Sequence, residues 1–426
     1  MKTSKTKTIW LMGLTLFATF FGAGNLIFPP FLGRATGSAW MTGFLGFTLM
    51  DVGLGVLAIL AVVSNVRGDI QGVVGKIGKV PGEMMAAIII ICIGPGLCIP
   101  RTAATTFEMG IMTLMPGLSP WIFGAVFFGL VLLLTIRPAK VVDIVGKYLT
   151  PVLLLVMLAL VVLGIMNPIA PPIAEPTVVP LKEGMLSGYQ TMDGIGALLM
   201  TGIMTSAALS KGYTEKKEVS GMIAVAGLIS GALLMLVYGG LTYLGATVST
   251  VESFAELNQA ALLMAITEAL MGKTGMILLA VIVFLACMTT AIGLTSVAAD
   301  YFQNLSNGKL KYETLVIGIA VFSYVISNFG LSAIINVSGP ILTLLYPPTL
   351  VLVLLTFFDN VFKNDNVARF AAYGALLTSF LELATGYGAP FGFVAKLPMA
   401  VYGCAWIVPA AVCGVIGACI KPKKKA

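Results

Sequence analysis

The chain has 426 residues, of which 58% are hydrophobic and only 10% are charged, and its mean hydropathy is +1.01. A soluble protein of this size has too little interior to hide so much apolar surface, so the composition excludes a soluble fold and indicates a polytopic membrane protein. The sequence contains no histidine, which excludes imidazole proton relays and HExxH zinc sites.

Twelve apolar segments approach or exceed the roughly 20 residues that a helix needs to cross a bilayer. The sequence therefore predicts an all-α polytopic membrane protein with about 12 transmembrane helices. The predicted spans are residues 9–32, 38–63, 84–113, 120–136, 144–166, 185–210, 219–247, 274–302, 313–329, 332–358, 367–386 and 398–420.

Lysine and arginine follow the positive-inside rule on this map. With the N-terminus in the cytoplasm, 20 of the 25 basic residues fall in cytoplasmic segments and four fall outside, while Arg101 lies within or near a span. Both termini are therefore predicted to be cytoplasmic, and the Lys-rich tail can lie on anionic lipid headgroups. This topology explains the net charge of +7, so we expect the lipid bilayer as a partner and no nucleic acid.

The first span carries residues that an uninterrupted membrane helix does not use. Phe21–Asn25 contains two glycines, and Phe28–Pro30 contains two prolines. Both residue types disfavour a continuous helix. Unpaired backbone groups at membrane depth are tolerated only where protein, water or a ligand satisfies them. The sequence thus predicts a broken first span that contributes to a binding site.

An ionisable residue costs about 2.5–3.5 kcal/mol at the centre of a membrane helix, so five such residues in the predicted spans call for an explanation. We expect Arg101 to form an ion pair with a carboxylate, with a direct substrate contact as the alternative. Arg101 and Glu108 are two helical turns apart and would meet only if the helix bent at Pro100. Asp51 and Glu382 can instead lie nearer to the headgroups. The five residues are Asp51, Arg101, Glu108, Asp193 and Glu382.

Two connections predicted on the outer side differ from the others. Residues 167–184 contain five prolines, which favours an extended loop and marks a seam between two halves. Residues 251–271 are amphipathic and fit a helix lying over the outer face better than a thirteenth span. Such a helix would act as an extracellular lid or simply pack as a loop.

The sixth span is interrupted much as the first is. Tyr189–Gly196 is polar and glycine-rich, at the position that matches the first interruption if spans one to five and six to ten are repeats. Five is odd, so the two repeats would have opposite orientations, as in transporters whose paired broken helices hold substrate near the bilayer midplane. Glycines that merely permit close helix packing are the alternative explanation.

Hydroxyl groups cluster in the eighth span. Such groups often bond back to carbonyl oxygens one turn earlier. A sodium site is the sharper hypothesis, because a small hard cation prefers oxygen ligands and can be held by hydroxyls together with carbonyls of an unwound helix. The residues are Thr289, Thr290, Thr295 and Ser296.

Two motifs resemble a known family. Gly22–Pro30 resembles the first span of the bacterial branched-chain amino acid:cation symporters, and Ile93–Thr102 with Phe107 and Glu108 resembles their third span. The resemblance covers essentially the whole chain. It implies a secondary transporter of the bacterial inner membrane, not an enzyme, that imports leucine, isoleucine and valine through alternating access. Sodium symport, with Na⁺ as the coupling ion, is the common mode of this family.

The resemblance also implies a LeuT-like architecture, with a 5+5 inverted repeat followed by two C-terminal helices. On this division, residues 1–166 form the first five-helix repeat, and residues 167–184 form the proline-rich extracellular connection. Residues 185–358 form the second repeat, and residues 359–426 contain the two additional helices and the basic cytoplasmic tail.

The wider LeuT-like comparison implies individual site residues. Amides freed by the first break would bind the substrate's carboxylate, and carbonyls of the sixth-span break, with Asp193, would accept from its ammonium group. Spans three, six and eight would line the side-chain pocket. The chain is one residue shorter than the LeuT-like pattern between Asn25 and Pro29, so the comparison extends only to residues before Leu26. The implied substrate-binding residues are Gly22, Ala23, Gly24, Asn25, Gln190, Thr191, Asp193 and Gly194, and the implied sodium ligands are carbonyls of Ala18, Phe21 and Ile292 with hydroxyls of Thr295 and Ser296.

Other functions are open to the same residues. Proton coupling through Asp51, Glu108 or Asp193, or another neutral amino acid as cargo, is the alternative that keeps a transporter. The sequence lacks a TVGYG channel filter, a GxGD aspartate motif and a convincing nucleophile and base pair, which disfavours a channel and a membrane-embedded hydrolase.

Overall fold

The computed structural model describes residues 4–420 except 66, 137–140, 360 and 363, and gives no side-chain placement at 113, 141–150 and 203. The basic C-terminal tail, whose position is predicted to be cytoplasmic, therefore lies outside the described residues. Within these ranges the chain is helical, without strands. The helices are α1 (Lys5–Phe20), α2 (Ala23–Thr36), α3 (Trp40–Thr48), α4 (Leu54–Ser64), α5 (Ile70–Val74), α6 (Lys79–Ile91), α7 (Cys98–Thr106), α8 (Met112–Leu114), α9 (Pro120–Ile136), α10 (Val141–Met166), α11 (Pro180–Thr191), α12 (Asp193–Ser210), α13 (Lys216–Ala246), α14 (Glu252–Ala255), α15 (Gln259–Leu305), α16 (Tyr312–Ser327), α17 (Leu331–Thr356), α18 (Asp365–Gly386) and α19 (Ile407–Cys419).

The twelve predicted spans each coincide with a helix or a short series of helices. Seven helical runs are long and apolar enough to cross a membrane, and four shorter apolar helices accompany them in the described chain. The twelfth span is shorter than predicted, since its helix begins only at Ile407. Met399 and Gly403 adopt left-handed backbone conformations just before it, with φ of 64° and 74°, and these turns replace the first part of the expected helix.

The first and sixth spans are broken where the sequence predicts. α1 ends at Phe20, and Gly22 is extended (φ −116°, ψ −161°) before α2 begins. α11 and α12 are separated by Met192, whose φ is 69°. The prolines of the first span do not contribute to its break, because Pro29 and Pro30 lie inside α2. The break is therefore set by the residues around Gly22.

The third span is also interrupted, but not at Pro100. Gly94 (ψ −120°) and Leu97 (φ −134°) leave helical conformation between α6 and α7. Pro100 is the third residue of α7, where a backbone N–H has no intrahelical acceptor, so proline is accommodated without a bend. The bend expected at Pro100 is thus displaced by about one turn toward the N-terminus.

The amphipathic segment is not one continuous helix over the outer face. It consists of the four-residue α14 and the first part of α15, and α15 bends at Gly272 (φ 65°, ψ −170°) before it continues as the eighth span. We call Val251–Met271 the lid segment. The proline-rich connection, by contrast, is non-helical up to Val179, as predicted.

Polar contacts group the helix ends on two faces, as the twelve-span map requires. On one face Lys5 pairs with Glu218 at 3.0 Å, and Lys76 pairs with Asp359 at 2.5 Å. On the other face Arg34, at the end of α2, donates to two carbonyl oxygens of the lid segment. The first face is the one that the distribution of charges predicts to be cytoplasmic, and this orientation stays a prediction.

Glycines permit the closest helix contact around the first span. A Cβ added at Gly245 of α13 would overlap the carbonyl oxygen of Pro30, and one added at Gly33 would overlap the carbonyl oxygen of Thr242. α2 and α13 therefore pack backbone against backbone. This close packing fixes the position of α2, which begins directly after the break of the first span.

Gly245→Ala should destabilise the protein, because a methyl group there cannot fit without separating α13 from α2. We expect a loss of about 1–3 kcal/mol, typical of overpacking, measured as a lower melting temperature of the detergent-purified protein. Gly221→Ala on the same helix is the matched control, since no atom lies within 4 Å of its added Cβ. Equal effects of the two substitutions would contradict this packing argument.

Candidate functional site

The two helix breaks face one small cavity of about 30 Å³. Its wall comes from the first, third, sixth and eighth spans. The lining residues are Thr19, Phe20, Gly22, Ala23, Gly24, Asn25, Ile93, Cys98, Arg101, Thr191, Met192, Asp193, Gly196, Met200, Thr290 and Leu294.

The first-span break supplies backbone donors to this cavity. Ala23, Gly24 and Asn25 form the first turn of α2, where amides have no intrahelical acceptor. The N-terminus of a helix also attracts anions through its dipole. The Gly22 amide is already satisfied, because it donates to the Asn25 side-chain oxygen at 3.2 Å. All four of these predicted residues line the cavity.

Asn25 connects the first break to the sixth and seventh spans. Its side-chain nitrogen donates to a carboxylate oxygen of Asp193 at 2.6 Å and contacts the Tyr238 hydroxyl at 2.5 Å. On the sixth span, the Thr191 hydroxyl donates to the Asp51 carboxylate at 2.6 Å. Asp51 is fully buried and bonds to a residue beside the sixth-span break, so it lies at the depth of that break rather than nearer to the headgroups. The four spans are thus held together by polar side chains around the cavity.

Arg101 is 1% exposed, and its partners are not those expected. Its guanidinium donates to the carbonyl oxygens of Gln190 and Thr191 at 2.5 and 3.2 Å. The ion pairs among described residues do not include Arg101, so the expected pair with a carboxylate is wrong. Glu108 instead accepts from the Asn258 side chain at 2.9 Å and the Leu331 amide at 3.0 Å. The interruption before α7 places Arg101 against the sixth-span break rather than beside Glu108.

Two predicted substrate-binding residues lie outside the cavity wall. The Gln190 side chain accepts from the Ser338 hydroxyl at 2.7 Å and therefore faces α17. Gly194 packs against the second span, where an added Cβ would lie 2.9 Å from a methyl carbon of Leu54. Of the predicted ammonium acceptors, Asp193 lines the cavity, and the carbonyls of Gln190 and Thr191 are occupied by Arg101.

The eighth-span hydroxyls divide into two groups. Thr289 bonds back to carbonyl oxygens of its own helix, and Ser296 accepts from the Tyr312 hydroxyl at 3.0 Å. Thr290 and Thr295 are buried, and their hydroxyl oxygens have no hydrogen-bond partner among described residues. Unpartnered buried hydroxyls are uncommon, and their oxygens are suitable ligands for a hard cation.

The predicted carbonyl ligands differ in how free they are. Ala18 lies in the last turn of α1, and its usual helical donor, the Gly22 amide, bonds to Asn25 instead. Phe21 lies in the break itself. Ile292 lies in a regular part of α15, which departs from helical geometry only at Gly272. The Ala18 carbonyl and the Thr295 hydroxyl are therefore the freest oxygens of the predicted set, and the Ile292 carbonyl is the least free. The five predicted sodium ligands do not belong to the described wall of the cavity.

Sequence reasoning missed several residues at the site. The sequence shows Thr290 as one of four hydroxyl residues of the eighth span but does not indicate that it lies at the site. In the structure its hydroxyl would lie 3.4 Å from a Cβ added at Gly22. Tyr238 carries no local signal, because its role depends on contact with Asn25. Arg101 did carry a signal, since a charge inside a span is expected to serve a function. The apolar residues of the wall look like any other membrane-helix residues.

Solved structures with the same overall arrangement are LeuT-like transporters, which confirms the predicted fold class. The chain superposes on Mhp1, a nucleobase-cation-symport-1 family transporter, with a TM-score of 0.62 and 13% identity, covering 96% of this chain and 91% of that one. It superposes on a Na⁺-coupled sialic acid symporter with a TM-score of 0.63 and 14% identity, covering 98% and 91%. At this identity the likeness concerns the fold alone.

A family model described as branched-chain amino acid transport protein matches residues 5–424. The chain is 35% identical to the branched-chain amino acid permease BraB of Bacillus subtilis, over 96% of this chain and 94% of that protein. It is also 35% identical to the permease BrnQ of Escherichia coli K12, over 97% and 95%. Relatives of this kind are transporters rather than enzymes, and the chain belongs to the branched-chain amino acid transport protein family.

Proposed function

We propose that the protein imports leucine, isoleucine and valine across the bacterial inner membrane by sodium symport. The observation that carries the proposal is the pair of helix breaks that turn backbone and side-chain polarity toward one cavity. An amino acid zwitterion needs donors for its carboxylate, an acceptor for its ammonium group and an apolar space for its side chain. The permease names of the relatives in B. subtilis and E. coli support this choice of substrate class.

The cavity offers each of these three environments. The first turn of α2 presents amides to a carboxylate, and Asp193 presents an acceptor to an ammonium group. Ile93, Met200 and Leu294 are buried apolar residues of the wall that suit an aliphatic side chain. The cavity is smaller than an amino acid, so the surrounding helices must separate for binding, as alternating access requires.

Sodium would bind between the first and eighth spans, through oxygens of Ala18, Phe21, Thr295 and Ser296, with Ile292 as the least free ligand. Ion binding there would order the inner half of the first span against α15. The same break carries the backbone amides that would bind the substrate. An ion that stabilises one arrangement of the break would therefore strengthen substrate binding, and the substrate would strengthen ion binding by the same factor.

Thr295→Val should raise the sodium concentration required for half-maximal leucine uptake about tenfold or more. The substitution keeps the shape of the side chain and removes the hydroxyl ligand, and a tenfold change corresponds to about 1.4 kcal/mol. Uptake into proteoliposomes under an imposed sodium gradient measures the effect. Thr295→Ser should restore most of the sodium affinity.

Thr289→Val is the matched control on the same helix, because the Thr289 hydroxyl already bonds to its own backbone. Its half-maximal sodium concentration should change less than twofold. Unaltered sodium activation in Thr295→Val would remove this residue from the proposed ion site.

Gly24→Ala should abolish most leucine uptake while the protein still folds. An added Cβ would lie 2.8 Å from an Arg101 nitrogen and 3.2 Å from the Thr191 Cα, so it would push apart the two breaks. We expect at least a tenfold fall in uptake at low leucine concentration. Gly293→Ala, with no atom within 4 Å of its added Cβ, should retain uptake within twofold, and similar losses in both variants would argue against a special role of the first break.

Proton coupling is the second candidate, and the buried carboxylates favour it. Asp51 is fully buried, and one of its carboxylate oxygens has no hydrogen-bond partner among described residues. A carboxyl group in such a position is a candidate proton carrier. Leucine uptake into proteoliposomes should follow an imposed sodium gradient and ignore an imposed proton gradient if sodium is the driver, and the reverse result would replace sodium by the proton.

A further inference from the structure

Arg101 retains unused hydrogen-bonding capacity inside the protein. A guanidinium carries five N–H donors and is always charged. Two terminal nitrogens of Arg101 donate to the Gln190 and Thr191 carbonyls, whereas its Nε is buried without a hydrogen-bond partner among described residues. Leaving a buried charged donor unsatisfied is costly. The geometry therefore points to a further acceptor that protein atoms do not supply.

The position of the guanidinium indicates where that acceptor would lie. Arg101 lines the central cavity, and one of its terminal nitrogens would lie 2.8 Å from a Cβ at Gly24. It is therefore next to the first turn of α2, whose residues line the same cavity and whose amides have no intrahelical acceptor. Backbone and side-chain donors converge on one end of this space.

The charges around the cavity are held apart rather than paired. Asp193 bonds to Asn25, and Asp51 bonds to Thr191, while the cation of Arg101 rests on carbonyl oxygens. Arg101 and Asp193 thus line one cavity without forming an ion pair with each other in the described chain. A zwitterionic ligand would offer a negative group to Arg101 and a positive group to Asp193.

We infer that Arg101 determines specificity by binding the carboxylate of the substrate, with Asp193 receiving its ammonium group. This assignment rests on the proposed function and deepens it, because it makes the free carboxylate the group that the transporter requires. Guanidinium and carboxylate form strong, directional hydrogen bonds in a buried site. An amide or amine with the same aliphatic chain lacks the negative end and would leave Arg101 unsatisfied.

The test combines a change in the ligand with a change in the protein. Dissociation constants of L-leucine and L-leucinamide are measured by thermal stabilisation of the purified full-length protein in sodium-containing buffer. In the original protein, leucine should bind at least 100-fold more tightly than leucinamide. In Arg101→Gln, this ratio should fall at least tenfold, because the leucine carboxylate loses its guanidinium partner. Leucinamide has no carboxylate, so its binding should change little.

Arg34→Gln is the matched control. Arg34 also donates to backbone carbonyl oxygens, but it lies at the outer end of α2 and does not line the cavity, so the ratio should stay as in the original protein. Arg101→Lys keeps the charge without the fork of donors, and the ratio should fall at least threefold. This second variant decides the matter if Arg101→Gln does not fold.

The outcomes separate three cases. If the Arg101 variants weaken the binding of leucine and leucinamide equally, the assignment is overturned. Arg101 then has only a structural role, in connecting the helix breaks. No binding of leucine, isoleucine or valine by the original protein would overturn the proposed function itself. A collapse of the ratio confined to the Arg101 variants would establish the carboxylate contact.

Discussion

Backbone polarity at membrane depth is the constraint on which the rest of this structure depends. Each broken helix leaves amides and carbonyls that lipid cannot satisfy. The protein satisfies part of these groups internally. The Asn25 side-chain oxygen accepts from the Gly22 amide, and Arg101 donates to the carbonyl oxygens of Gln190 and Thr191. The first amides of α2 have no intrahelical acceptor, and they belong to residues that line the cavity. The cavity therefore lies where the fold leaves backbone polarity without helical partners.

The groups that complete the breaks also connect the cavity to the rest of the molecule. Asn25 bonds to Asp193, so a ligand that competes for either side chain changes the contact between the first and sixth spans. The lid segment is bound by residues of two lining spans: Arg34 donates to two of its carbonyl oxygens, and Glu108 accepts from its Asn258 side chain. Displacement of a lining helix would thus strain its contacts with the lid segment, so the position of this segment and the arrangement of the breaks depend on each other.

Local features of the sequence were sufficient to predict the spans, the two faces and the two principal breaks. The distribution of charges and the lengths of the apolar segments can be read directly along the chain. The residues around Gly22 determine the local backbone conformation at their own position. The partners of Arg101 and Gln190 could not be predicted, because they depend on which helices meet in space. The bend of the third span was predicted at Pro100, but the structure has it at Gly94–Leu97. Proline breaks the interior of a helix, whereas in the first turn of a helix it costs little.

The two breaks also differ in how their geometry is maintained. Gly22 adopts an extended conformation that many residues can adopt, whereas Met192 is left-handed at φ 69°, a conformation that costs a non-glycine residue about 1–3 kcal/mol. Met192 is 2% exposed, so the surrounding packing holds it there, together with the two carbonyl bonds from Arg101 to the residues just before it. Any rearrangement that releases those carbonyls would remove part of this restraint. The sixth-span break is accordingly the more strained of the two. Its conformation depends directly on the hydrogen bonds that the Arg101 guanidinium makes.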